Sequence, residues 1–313
     1  MIQRFLLTLF LTLTVVSTFA AGQEETDESQ PTIRVALLPV LDTLPFHVAV
    51  SDGLFAERGV TVEYLPVNSQ IDREQLLQAG EADIVIGEIT TAALFNRESR
   101  RVAVIGTSRR PRDGDPVFRI LAPPGSTLSG PTDLAGVPIA VSMNSIIEYV
   151  TDRVLTAYGV DDIVTASVPV IPERFQLLMA GRVQAATLPD PLAQAAIAAG
   201  AVEVANDAEH SQFSQSVLIA AAPFVDRYPQ LVDAFLDAWY TGAARLNERP
   251  QDYTALVFET IPVPDGLREQ FRLTRFEGRS LPSAEEWSDA GAWLVDKGLL
   301  SELPPFAETV WSP

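Results

Sequence analysis

The sequence predicts an α/β protein of two lobes, each built on a parallel sheet, joined by a two-strand hinge. Three observations carry this. Short aliphatic runs of strand length alternate with helical stretches. The alternation is written twice, at an offset of about a hundred residues. A polar stretch rich in arginine and proline, Arg109 to Asp115, separates the two copies. Strands that alternate with helices build parallel sheets, because each crossover returns the chain to run in the same direction.

The first copy opens with a buried strand over Ile33 to Leu38, ended by Pro39. A helix over Pro45 to Arg58 follows, stopped by Gly59. Val60 to Val67 alternates as a strand does. Asp72 to Ala79 reads as a helix that Asp72 can cap and Gly80 ends, and Asp83 to Gly87 is the next strand. In the second copy Val137 to Val141 answers the first strand, and Ser145 to Tyr158 is its helix. The run Gln75-Leu76-Leu77-Gln78-Ala79-Gly80 returns as Gln176-Leu177-Leu178-Met179-Ala180-Gly181. Val117 to Ala122 starts the second lobe, Gln215 to Ala222 carries the chain back, and Pro229 to Leu246 is an amphipathic helix. This places residues 32–112 and 222–313 in the first lobe and 113–221 in the second.

Composition narrows the function. The chain has 313 residues, 47% of them hydrophobic and 20% charged, as in ordinary globular domains. Its net charge of −19 repels nucleic acid and anionic lipid. Cysteine is absent, which excludes disulfides, thiolate metal sites, a cysteine nucleophile and a lipidated N-terminal cysteine. With only His47 and His210, far apart, no metal or other cofactor is expected. The N-terminus is laid out as a secretory signal over residues 1–22. Arg4 is its positive end, Phe5 to Val16 its apolar stretch, and Thr18-Phe19-Ala20 or Ala20-Ala21-Gly22 its cleavage point. The apolar stretch is too short to cross about 30 Å of hydrocarbon with ease. A polar linker over 23–31 follows, so the mature chain is expected to be periplasmic or otherwise extracytoplasmic, without a lipid anchor.

Ligands of open α/β sheets bind beyond the carboxyl ends of the strands. The repeat names those loops: 40–46 and 88–91 in the first lobe, 142–145 and 188–191 in the second. They hold Asp42, Thr43, Phe46, Glu88, Thr90, Ser142, Asn144, Ser145 and Asp190, with Phe175 nearby. They hold no lysine or arginine, which points to a ligand rich in hydrogen-bond donors. A carboxylate directly after a buried strand, as at Asp42 and Glu88, is costly unless something pairs with it. Thr90, Ser142 and Ser145 read equally as helix caps, Asp190 as a turn residue between two prolines, and Phe46, Tyr149 and Phe175 as core.

The run from Asp52-Gly53-Leu54-Phe55-Ala56-Glu57 to Gly59-Val60-Thr61-Val62-Glu63 resembles a signature of the SsuA/THI5-like solute-binding proteins. That is the NMT1 or NitT/TauT type of ABC-transporter periplasmic receptor. Gln75 to Asp83 and Asp133-Leu134-Ala135-Gly136-Val137-Pro138-Ile139-Ala140 resemble two more of its elements. The resemblance implies a type II periplasmic-binding-protein fold, hinged closure, and delivery of a small molecule to an inner-membrane ABC permease by a monomer. Among the family's ligands, the acidic loops favour a thiamine-precursor pyrimidine or similar heterocycle. An aliphatic sulfonate, taurine or nitrate is the alternative. Pyrimidine synthases of the same family need a cysteine cluster that this chain lacks, so a receptor is expected, not an enzyme.

Overall fold

The computed structural model describes residues 31–269 and 271–312. The expected secretory segment, and the linker after it up to residue 30, lie outside the described residues. The strands are β1 (Ile33–Leu37), β2 (Val62–Pro66), β3 (Ile84–Glu88), β4 (Val102–Arg109), β5 (Phe118–Ala122), β6 (Pro138–Val141), β7 (Val164–Ser167), β8 (Ala185–Pro189), β9 (Val202–Asn206) and β10 (Ser216–Ala221). The helices are α1 (Leu44–Ser51), α2 (Leu54–Glu57), α3 (Gln70–Ala79), α4 (Ile89–Phe95), α5 (Ile146–Ala157), α6 (Ile171–Met179), α7 (Leu192–Ala198), α8 (Ala222–Arg227), α9 (Pro229–Glu248), α10 (Thr254–Thr260), α11 (Ala284–Asp296) and α12 (Phe306–Thr309).

Two five-stranded sheets result, ordered β2-β1-β3-β10-β4 and β7-β6-β8-β5-β9. The orders are the same pattern, so the repeat seen in the sequence is realised strand for strand. Neither sheet is wholly parallel. β10 runs antiparallel between β3 and β4, and β5 antiparallel between β8 and β9. The register shows why. Phe118, which opens β5, lies opposite Pro189 at the end of β8, and Ser216, which opens β10, lies opposite Glu88 and Arg109. Each crossing strand enters its sheet at the carboxyl ends of its neighbours and must run against them. β10 therefore belongs to the first sheet. The return crossing falls over 207–215, earlier than the break at 221 read from the sequence.

Local signals set the helices. The helix expected over Pro45 to Arg58 is broken into α1 and α2 by Gly53, which takes the left-handed conformation at φ 73°. α3 is capped by Ser69, whose Oγ accepts from the Asp72 N–H at 3.1 Å, so Asp72 is a first-turn residue and not the cap. α9 buries Leu231, Val232, Phe235, Leu236 and Trp239, and Trp239 and Phe235 pack with Phe46 and Phe55 in the first-lobe core.

α11 lies across both lobes. Its Trp287 and Trp293 share one apolar cluster with Val85, Ile89 and Ala92 of the first lobe and Ile147, Tyr149 and Val150 of the second. Polar contacts reinforce it. Asp289 accepts from Tyr149 Oη (2.6 Å) and Arg153 Nε (2.9 Å), and Trp293 Nε1 donates to Asp152 (2.8 Å). At its other end Glu286 pairs with Arg110 of the first crossing.

The contact between α1 and α9 is close enough to test. A methyl group on Gly242 would stand 2.4 Å from the Pro45 carbonyl oxygen. Gly242→Ala is expected to cost roughly 1–3 kcal/mol, seen as a lowered melting temperature by circular dichroism. An unchanged melting temperature would mean that the two helices are not held at this spacing.

Candidate functional site

The turn after β1 and the first crossing meet around the end of β4. The 3₁₀ turn Leu41–Thr43 carries Asp42 off the end of β1. The Asp42 carboxylate accepts from Arg109 Nη1 at 3.3 Å. Arg109, at the end of β4, is 2% exposed. It also donates to Asp115 (3.3 Å), the Pro116 carbonyl (3.0 Å) and Thr274 Oγ1 (3.1 Å). Coulombic attraction by Asp42, Asp115 and Asp190 holds its pKa above the ordinary value against the opposing effect of burial.

The other two carboxylates are also paired. Glu88 accepts from Arg73 Nη2 (3.3 Å) and Thr91 Oγ1 (3.0 Å). Asp190, 4% exposed, receives Arg119 on both oxygens at 3.3 Å and Gln194 Nε2 at 2.8 Å. The loops carry no arginine, but arginines on α3, β4 and β5 reach into them. The three acids are thus committed to the protein's own cations, and the reading that they await a donor-rich ligand loses its basis.

The remaining named residues divide by role. Phe46 is 1% exposed and packs among Phe55, Tyr64 and Trp239, so it is first-lobe core and not a ligand wall. The Thr43 hydroxyl donates to the Val40 carbonyl (2.8 Å) and closes its turn. Ser145 caps α5, accepting from the Ile147 N–H and donating to the Ser142 carbonyl. Thr90 is buried in the first turn of α4. Phe175 is half-buried against the cluster of Leu41, Leu44 and Phe276, where the lobes touch. Tyr149 is held by Asp289 and Trp293. Ser142 donates to the Pro169 carbonyl and accepts from Arg174 Nη1, both at 3.0 Å.

Asn144 and Thr91 come together. Both line a cavity of about 370 Å³, with Gln70, Glu74, Arg97 and Leu299 among the other walls. Its volume suits a small organic molecule. Thr91 comes from the first lobe and Asn144 from the second, so the cavity is shared. Asn144 sits at φ 58°, a conformation non-glycine residues avoid. Its N–H donates to the fully buried Glu148 carboxylate at 2.5 Å, and Lys297, just beyond α11, pairs with the other Glu148 oxygen at 2.8 Å.

The crossings are sealed by Asp207, whose two oxygens accept from the Val117 and Phe118 N–H groups at 2.9 and 3.1 Å. Ser214, Gln215 and Ser216 on the return crossing are all buried. Sequence reading passed over them, and over the arginines, because neither lies in a loop that follows a parallel strand.

Comparison with known proteins completes the picture. Residues 41–253 match the NMT1/THI5-like family. The chain belongs to that family. No curated protein sequence matches it. Solved structures share the fold. The periplasmic aliphatic sulphonate binding protein SsuA of Escherichia coli has a TM-score of 0.77 at 16% identity, over 90% of this chain and 92% of that one. The alkanesulfonate-binding SsuA of Xanthomonas axonopodis pv. citri, bound to MOPS, has a TM-score of 0.71 at 17% identity, over 90% and 98%. The desulfurization enzyme DSZB scores 0.63 at 18% identity, over 88% and 94%. The likeness establishes a type II periplasmic-binding-protein fold. Among the described residues no helix is long and apolar enough to cross a membrane.

Burial pushes the Asp207 carboxyl up from 3.8 to about 6, against the lowering effect of its backbone donors at Val117 and Phe118. Between those values the unfolded chain has released this proton and the folded chain still holds it. The contribution to stability is therefore fully present below the lower value and is lost as pH rises through the higher one. Asp207→Asn removes this titration. The wild-type unfolding free energy in urea, less that of the variant, should fall by about 2–3 kcal/mol between roughly pH 4 and pH 7. A difference independent of pH would show that the buried carboxyl titrates normally.

Proposed function

We propose that this protein is the extracytoplasmic solute receptor of an ABC-type importer and that it holds a small organic sulfonate between its lobes. The observation that carries the reading is the cavity along α3 and α4, walled by Thr91 from one lobe and Asn144 from the other. A ligand held there touches both halves, so its binding energy can favour their approach. The relatives support the ligand class, since the two SsuA structures are named for aliphatic sulfonates and one holds MOPS. The commitment of Asp42, Glu88 and Asp190 to arginines removes the argument that favoured a pyrimidine.

A receptor fits better than an enzyme. The chain has no cysteine to act as nucleophile. His47 packs edge-on against Tyr64 and Phe46, and burial lowers its pKa to about 4. His210 packs between Tyr158 and Phe213. Neither lines the shared cavity. In this reading the receptor is secreted, acts as a monomer and delivers its load to a membrane permease.

Thermal denaturation in the presence of candidate ligands tests the class. MOPS or butanesulfonate at a hundredfold excess over its dissociation constant should add about 2.7 kcal/mol, a rise of roughly 5 °C or more in the melting temperature. A hydroxymethylpyrimidine should give none. The opposite ranking would return the ligand to the thiamine-precursor class.

A further inference from the structure

Each half of the repeat carries a buried arginine at the same place. Arg73 in α3 and Arg174 in α6 precede the matching Gln-Leu-Leu runs by two residues, and they are 3% and 0% exposed. In the first lobe the charge is answered. Glu88, the last residue of β3, and Glu74 face Nη2 of the Arg73 guanidinium at 3.3 and 3.4 Å, while its Nε is buried with no partner among the described residues. In the second lobe the last residue of β8 is Pro189, which has no acceptor to offer. Arg174 Nη1 is occupied by the Val168 carbonyl (2.7 Å) and Ser142 Oγ (3.0 Å). Its Nε and Nη2 are buried with no partner among the described residues.

An unpaired buried guanidinium is costly, and burial accordingly lowers its pKa to about 10. A protein with net charge −19 also repels anions at long range. To hold one it needs a cation placed where solvent does not screen it, and Arg174 is such a cation. It lies at the carboxyl ends of β6 and β7, beneath Ser142. That serine belongs to the same turn as Asn144, which lines the shared cavity. Ser142 is only half-buried, and its second bond, to the Pro169 carbonyl, lets it release Arg174 without losing every partner.

We propose that Arg174 is the anion subsite of the cleft: the oxyanion of the ligand takes, against Nη2, the place that the Glu88 carboxylate fills for Arg73 in the other half, with Nε beside it. This rests on the receptor reading and adds to it where the charged end of the solute sits. The planar fork of two N–H groups suits two oxygens of one oxyanion. One half of the repeat carries its counter-ion in the chain, and the other takes it from solution.

Calorimetric titration of the full chain with butanesulfonate, butanoate and the uncharged butanol tests this. The wild type should bind the charged members and not butanol. Arg174→Met should weaken anion binding by about 100-fold, the worth of two charge-assisted hydrogen bonds. Pro189→Glu supplies the missing carboxylate in the chain. It should weaken anion binding at least tenfold while the melting temperature of the ligand-free protein stays level or rises. This second variant keeps the test decisive if the first folds poorly. Anion binding unchanged in both variants would overturn the subsite and leave the receptor reading in place. Binding of butanoate but not butanesulfonate, lost in both variants, would keep the subsite and reject the sulfonate. Wild-type binding of butanol as strong as that of the anions would mean that Arg174 holds only water.

Discussion

Arg109 is the point on which the waist of this molecule turns. It ends β4, where the chain leaves the first sheet. Its N–H groups reach the turn after β1 through Asp42, the first crossing through Asp115 and Pro116, and the C-terminal segment through Thr274. A buried guanidinium is tolerated only when its donors are met. Asp42, Asp115 and Asp190 supply negative charge from three separate stretches of chain. Asp207 then fastens the start of β5 by two backbone bonds. The loops of the cleft are thus arranged around a charge network and not around an apolar core.

The same chemistry explains how so acidic a chain presents a cleft free of unmet carboxylates. Arg73, Arg109 and Arg119 each sit within a regular element and project to a strand end, where Glu88, Asp42 and Asp190 await them. Glu148 is met by Lys297 and by the backbone of Asn144. Of the two arginines that the repeat makes equivalent, Arg73 has a carboxylate at its fork and Arg174 has none among the described residues.

Much of the fold was legible in the sequence. Strand length, aliphatic content and glycine stops placed the elements, and the Gln-Leu-Leu repeat announced two similar sheets. The direction of β5 and β10 was not legible, because a fully buried strand reads the same whichever way it runs. The site was legible as a location and illegible as chemistry. Thr91 after β3 and Asn144 after β6 line one cavity, while Asp42 and Asp190 pair with arginines outside it, and the charge of a loop says little when cations arrive from a neighbouring helix or strand. Ser145 behaves as the cap its position suggested, and Phe46 as core, since an aromatic in an apolar helix is more often buried than presented. The equivalence of Arg73 and Arg174 was visible at the repeat spacing. Extending the matched run by two residues toward the N-terminus would have found it.

The helix Ala284–Asp296 follows both sheets in the chain, yet it packs on both lobes. It packs on Ile89 and Ala92 in one lobe and on Tyr149, Asp152 and Arg153 in the other, and it holds Arg110 of the first crossing. Each sheet can assemble once residue 221 is available, because every described strand lies before that point. The two halves cannot be clasped by this helix until it has been made. A chain stopped short of residue 284 would lack this brace, and Trp287 and Trp293 would be missing from the cluster that both lobes share. The order of synthesis thereby becomes an order of assembly, with the inter-lobe brace waiting on a segment that follows both sheets.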